Sequence, residues 1–398
     1  MMVAFLPWLK LRQAVEVAGT RFVPWRDNVD QVSVDLRDVA GPLEIILSSY
    51  VEREGEPISN CVVITRPGKP TPWSLDGEDE EPIRWSALLL FLAAFAENDY
   101  FSAAGNYVNS TAFEIIWQRY AEPLPNGIAI VSKRRDGRST DGGYEHGKAR
   151  FSRPIWCDVH PVHYNGALLA AMNTSPATSE TIEQLEPALP FVSLANTDNP
   201  AMSFPSEAIL MASAFEVMVK SDNDKKKLRD RFSGPFTPFG SATVADAQVN
   251  RSGIVIDTSQ PDRAEAQPRW FVHKKWIEEL YDLRSKSAHR AGDISSRTWG
   301  WTPFEHLLMA AFVFPLFIKL KLEGEGRYVL THDDKSRCFA VDSLLAAPRW
   351  DDANSSSRQY RWVEELNEAS FSMTSRMAMK YLEEAARSGA VPTEDEST

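Results

Sequence analysis

The chain has 398 residues, with 43 Lys and Arg against 55 Asp and Glu, a formal net charge of −12 at pH 7 and 43% hydrophobic residues. That length allows two or three domains with a core each, and the composition is that of a globular protein, which excludes fibrous and wholly disordered classes. The three cysteines, Cys61, Cys157 and Cys338, are far apart and odd in number, so no disulfide framework is expected and a reducing, cytoplasmic setting follows.

The first ten residues are partly apolar but carry neither a basic leader nor a cleavage pattern, and read as the first folded segment. Residues 42–47 and 60–65 are rich in β-formers, and the polar stretch 52–57 between them suggests a hairpin. A loop rich in Pro, Gly and acids follows at residues 66–82. Residues 83–98 read as a largely buried helix and 127–132 as another strand, leading through the basic segment 133–138 into a polar loop. The apolar runs 87–96 and 307–318 fall well short of the ~20 residues a membrane-spanning helix needs, so no membrane is expected as a partner. Residues 1–199 are thus expected to form a mixed α/β region with a regulatory or recognition role.

Residues 200–322 change character. Pro205 opens a helix to about Lys220, with Ile209, Leu210, Ala212, Phe215 and Val219 as its apolar positions. A charged helix or turn spans 225–231, and residues 232–268 read as a long loop rich in Gly, Pro, Ser and Thr. A helix is expected over about 269–287. Thr302-Pro303-Phe304-Glu305 combines a capping box with proline at the first helical position and opens a helix to about Leu322. Residues 323–398 form an acidic annex, with short strands expected at 328–330 and 338–341, a long helix over 359–387 closed by Gly389, and a disordered tail over 391–398. The expected fold class is α+β: a mixed α/β region, an all-α bundle and a helical annex. Residues 200–322 hold 17 Lys and Arg against 14 Asp and Glu, so this stretch is locally basic within an acidic chain and can still attract RNA.

The segment Tyr281-Asp282-Leu283-Arg284-Ser285-Lys286-Ser287-Ala288-His289 concentrates the chemistry. Ile277, Leu280, Tyr281 and Arg284 recur at intervals of three and four and share one helix face. Arg284 therefore stands on an apolar stripe, where a guanidinium needs a partner. His289 lies five residues on, about 140° round an ideal helix. The two side chains converge only if the helix ends or distorts near Ala288, or if two copies of the chain pair. RNA cleavage by its own 2′-hydroxyl needs a base, an acid and a cation on the phosphorane. Histidine supplies the proton steps and arginine the paired donors for phosphate oxygens, with no metal or other cofactor required.

This segment resembles the Arg-x(4–6)-His motif of HEPN-domain ribonucleases, in particular the Apea-like HEPN group. Upstream, Ala212-Ser213-Ala214-Phe215-Glu216-Val217-Met218 is similar to the early helix of that family. The resemblance covers roughly residues 200–322. It implies a HEPN-like helical bundle that dimerises so that two motifs form one cleft. It also implies metal-independent endoribonuclease activity, with Arg284, His289 and Glu216 as the catalytic set, in which Glu216 orients Arg284. Family members act in bacterial antiviral defence, toxin–antitoxin and abortive-infection systems, so RNA, a second copy and a phage-derived or regulatory trigger acting through the N-terminal region are the implied partners. Position 291 is Ala, which separates the chain from the toxin branch silenced by nucleotidylation of a tyrosine there. A second reading stands beside this one: Arg284 is a structural arginine neutralised by Glu216, His289 caps a helix, and the bundle is a non-catalytic RNA-binding or assembly module.

Lys286 and Arg290 beside the motif, and Lys225, Lys226 and Lys227, are candidates to hold RNA backbone, although lysine runs are commonly solvated faces. Cys157-Asp158-Val159-His160-Pro161-Val162-His163 holds potential metal ligands but lacks the paired spacing of a structural zinc site. Gly68-Lys69 lacks the rest of a phosphate loop. Trp270, Trp276, Trp299 and Trp301 read mainly as packing residues. His306 reads as structural, and His146, His273 and His332 show no companions in sequence.

Overall fold

Every side chain of β1 (Met2–Leu6) is buried, because both faces of the strand are covered. The computed structural model describes residues 2–26, 36, 40–69, 71–72, 74–97, 109–119, 127–133, 139–145, 150–154, 157, 161–173, 178–197, 199–259, 261–289 and 299–348. After β1 come β2 (Val15–Val17), β3 (Thr20–Arg26), α1 (Ala40–Leu47), β4 (Tyr50–Val51), β5 (Asn60–Thr65), α2 (Glu80–Phe95), β6 (Ile116–Arg119), β7 (Gly127–Lys133), β8 (Ser139–Glu145) and β9 (Phe151–Ser152). Seven strands form one antiparallel sheet in the order β2-β3-β5-β1-β6-β7-β8, and β4 pairs in parallel with β9. Ala18 and Gly19, both at positive φ, form the two-residue turn between β2 and β3, the geometry that matches strand twist. One face of the sheet sends Val3, Phe5, Val23, Trp25 and Val63 against Leu43, Ile46 and Leu47 of α1. The other sends Ala4, Leu6, Phe22, Val62 and Ile64 into a larger core with α2.

The helical part follows: α3 (Gly166–Met172), α4 (Glu180–Ala195), α5 (Phe204–Met218), α6 (Lys225–Phe236), α7 (Val244–Asn250), α8 (Pro261–Ala266), α9 (Val272–His289), α10 (Pro303–Gly324) and α11 (His332–Ala346). The chain is therefore a mixed α+β fold. Helix α4 packs along α5, and α5 and α6 pack on α9. At their centre Phe215 meets Phe232 at 5.4 Å, Trp276 at 6.1 Å and Phe314 at 5.3 Å between ring centroids, locking α5, α6, α9 and α10 together. The larger core runs without a break from the sheet through α4 to α11, across residues 199 and 322.

The helix start at Thr302 is as its sequence reads. The Glu305 N–H donates to Thr302 Oγ1 at 3.1 Å, and the Thr302 N–H donates to Glu305 Oε2 at 2.8 Å. Several local expectations are corrected. Residues 42–47 lie in α1, not in a strand. Leu43, Ile46 and Leu47 have helical spacing, and so short an apolar run carries too few turns to separate the two periods. Accordingly β5 pairs with β1 and β3 and makes no hairpin with residues 42–47. The stretch 232–268 contains the end of α6 and all of α7 and α8. Helix α7 opens on a capping box in which Asp246 takes the place of the usual Glu or Gln. Residues 338–341 lie inside α11, started by a similar box at Thr331 and Asp334, and residues 328–330 are in no strand. The polar, Gly-rich stretch after residue 138, expected as a loop, is instead strand β8, paired along its length with β7. The expected helix over 359–387, the tail over 391–398 and the basic segment 134–138 lie outside the described residues. No helix among the described residues is long and apolar enough to cross a membrane.

Candidate functional site

Helix α9 leaves the core as it runs toward its C-terminus. Ile277, Leu280 and Leu283 are buried, whereas Tyr281, Arg284, Ser285 and Lys286 are only partly so. The apolar stripe thus delivers Arg284 to the rim of the bundle, beside the C-terminal end of α5. That end is a Schellman turn: the Ser221 N–H donates to the Glu216 carbonyl at 3.1 Å, and the Lys220 N–H to the Val217 carbonyl at 3.1 Å. The turn buries Glu216 in the last helical turn and reverses the chain over α9. Lys220, Asp222 and Asn223 all have positive φ, at 48°, 54° and 61°. Asp224 then caps α6, its carboxylate accepting from the N–H groups of Lys226 at 2.8 Å and Lys227 at 3.1 Å.

These elements meet at the Arg284 guanidinium. Its Nη2 lies 3.2 Å from Glu216 Oε2 and donates to Asn223 Oδ1 at 3.4 Å. The guanidinium carbon is 5.8 Å from the centre of the Tyr281 ring, and the Tyr281 hydroxyl donates to the Asn223 carbonyl at 2.8 Å. Among the described residues Nη1 and Nε of Arg284 have no partner, and neither has Glu216 Oε1. Burial pushes the Glu216 carboxyl above its ordinary range, and the Arg284 charge draws it only part of the way back. Burial likewise raises the Tyr281 phenol, helped by the Glu216 carboxylate.

Helix α9 continues through Ala288 and ends at His289. The helix backbone is thus unbroken between Arg284 and His289, which places the two positions about 7.5 Å apart along the axis. The His289 side chain and the whole of Arg290 lie outside the described residues. Lys225 sits 3.0 Å from Asp282, and the Lys227 ammonium is 3.4 Å from Asp222. Lys226 is exposed, and its ammonium has no carboxylate partner among the described residues. The Lys286 ammonium lies 5.2 Å from the Trp299 ring centre, a cation–π contact.

Asn223 was not singled out from sequence. The signal was present in Asp222-Asn223-Asp224 between two helices, since Asn tolerates left-handed backbone and Asp is a favoured cap. His273 also gains a companion that the sequence did not show: its Nδ1 is 2.8 Å from Asp342 Oδ1, both residues buried. His306 is fully buried, with Nε2 3.3 Å from Glu279. Both groups sit in the helical core and away from solvent. No group of three or more His, Cys, Asp or Glu suited to a metal forms among the described residues, and residues 158–160 of the Cys157–His163 cluster lie outside them.

No family model, curated protein or solved structure matches this chain.

Proposed function

We propose that the chain is a metal-independent endoribonuclease of the HEPN type, acting as a homodimer in bacterial antiviral defence or abortive infection. The observation that supports this reading is the half-committed state of Arg284. One nitrogen is anchored to Glu216 and Asn223, while Nη1 and Nε have no partner among the described residues, at a partly exposed rim. A guanidinium held this way keeps donors for two phosphate oxygens without having to find its own orientation. A purely structural arginine on an apolar stripe would gain most by engaging all its donors.

In the proposed reaction a neutral His289 takes the proton of the RNA 2′-hydroxyl. The 2′-oxygen attacks phosphorus and the P–O5′ bond breaks. The leaving oxygen is protonated by the imidazolium of the second copy, and Arg284 balances the charge on the phosphorane. The products are a 2′,3′-cyclic phosphate and a 5′-hydroxyl. A second copy would supply the partner histidine, in keeping with the ~140° that separates positions 284 and 289 round one helix. Lys226, Lys286 and Arg290 would hold the RNA backbone, and the N-terminal region would receive the trigger, all in the cytoplasm. The Arg284–Glu216 ion pair favours a second reading, a non-catalytic RNA-binding or assembly module, because it already lowers the charge offered to phosphate.

The test incubates wild type, Arg284→Ala and His289→Ala with single-stranded RNA in EDTA. Under the nuclease reading, cleavage survives EDTA, leaves 5′-hydroxyl ends, and falls about 100-fold or more in each variant. Cleavage that needs metal, or that is unchanged in either variant, would sink the mechanism. RNA binding without cleavage in any of the three supports the second reading.

A further inference from the structure

We infer that Asn223, held in a left-handed turn, is a positioning residue that fixes which edge of the Arg284 guanidinium faces the phosphate. This rests on the reading of Arg284 as a phosphate ligand and adds to it a residue that neither the motif nor the resemblance contains.

An arginine tied to a carboxylate through one nitrogen can still pivot about that contact. In this structure a second acceptor, Asn223 Oδ1, meets the same nitrogen, so Nη2 is held between α5 and the α5–α6 turn. Asn223 is itself fixed from three sides. The Schellman turn sets the path of the chain before it, the Asp224 cap holds the helix after it, and the Tyr281 hydroxyl donates to its carbonyl at 2.8 Å. Tyr281 stands one turn before Arg284 on α9, so the helix that carries the arginine also braces the residue that orients it. The residue type fits the task. The position has φ 61°, which asparagine tolerates better than most side chains. Its amide oxygen accepts a hydrogen bond without adding the second negative charge that would compete with phosphate.

The test compares wild type, Asn223→Gly and Asn223→Asp. Glycine accepts the left-handed backbone and removes the acceptor. Aspartate keeps an oxygen in place but adds a charge. Cleavage of single-stranded RNA should show kcat reduced about 10-fold or more in Asn223→Gly with little change in KM, since misorientation costs rate rather than binding. Asn223→Asp should retain most of kcat and raise KM. Melting temperatures separate this from unfolding, because Asn223→Gly should remain near wild type. A second measurement does not need activity. In protein labelled with 15N-arginine, the Arg284 Nη2 signal, assigned with Arg284→Lys, should show slow rotation in wild type and Asn223→Asp and fast rotation in Asn223→Gly. If wild type cleaves no RNA, the nuclease reading fails and the resonance alone decides the positioning role. Unchanged rotation in Asn223→Gly, or wild-type kcat in that variant, overturns the inference.

Discussion

Lys220 occupies a position where a helix ending in a Schellman turn ordinarily has glycine, with φ at 48°. The equivalent turn after α10 uses Gly326, with φ at 70°. A side chain in left-handed backbone costs roughly 1–2 kcal/mol. The Lys220 ammonium recovers little of this, since its contacts with Glu180 at 3.6 Å and Glu183 at 3.5 Å are between exposed groups. Lys220→Gly is therefore expected to stabilise the protein by about 1 kcal/mol in urea denaturation. A loss of stability would mean that the surface ion pairs outweigh the backbone term. Glu216 yields a second prediction at this scale. Its folded-state carboxyl is raised, so protonation favours the folded chain. Its contribution is fully present below the ordinary glutamate range and is lost as pH rises through the raised value. Denaturation of wild type and Glu216→Gln across mildly acidic to neutral pH should show wild type losing ground to the variant as pH rises. Parallel curves would contradict the direction of that shift.

Helices in this fold are set by their ends, and one end is tied to a buried ion pair. Glu305 closes the capping box of α10, and its two oxygens also receive Arg251 at 3.0 and 3.2 Å, with both residues fully buried. Arg251 further donates to the Gly300 carbonyl at 3.0 Å, joining the segment after α7 to the start of α10. The approach is close enough that a Cβ on Gly253 would lie 2.0 Å from the Trp299 carbonyl oxygen, which requires glycine there. Arg251→Met should cost about 3–5 kcal/mol in chemical denaturation, because it strands the Glu305 carboxylate in the core. Adding Glu305→Gln keeps an oxygen for the cap and removes the stranded charge, so the double variant should be less destabilised than Arg251→Met alone. Equal losses would mean that packing, not charge, dominates. Asp224→Ala removes a simple cap from α6 and should cost about 1 kcal/mol by the same measurement.

Across the whole molecule, the helical bundle draws on segments from both sides of residues 200–322. Ile182, Leu185, Ala188, Leu189 and Val192 of α4 are fully buried, and α4 lies along α5. At the other end Asp342 of α11 accepts from the backbone N–H of His273 at 3.0 Å and from that of Ser241 at 3.0 Å, pinning the start of α9. A fragment beginning at residue 200 strips α4 from α5. It should melt less cooperatively and show weaker near-ultraviolet dichroism than a fragment beginning at residue 178, which retains α4. Equivalent behaviour of the two would show that α4 is dispensable to the bundle.

What sequence alone determined here is what local physics decides. Thr302-Pro303-Phe304-Glu305 starts a helix because its capping groups lie within one turn. The helices expected over 205–220 and 269–287 form, with ends shifted by up to three residues, as α5 and α9, because their apolar positions repeat over several turns. The stripe on α9 marked Arg284 as needing a partner, and Glu216 was within view as that partner. Tertiary structure decided the rest. Residues 42–47 are too few for their period to be read, and packing against the sheet settles them as helix. Residues 338–341 are rich in β-formers, yet the cap at Thr331 and contact with α9 carry them into α11. Asn223 reached Arg284 only because a Schellman turn folds the chain back over α9, joining residues 61 positions apart. Such a contact is set by the summed geometry of three helices, which no local pattern encodes.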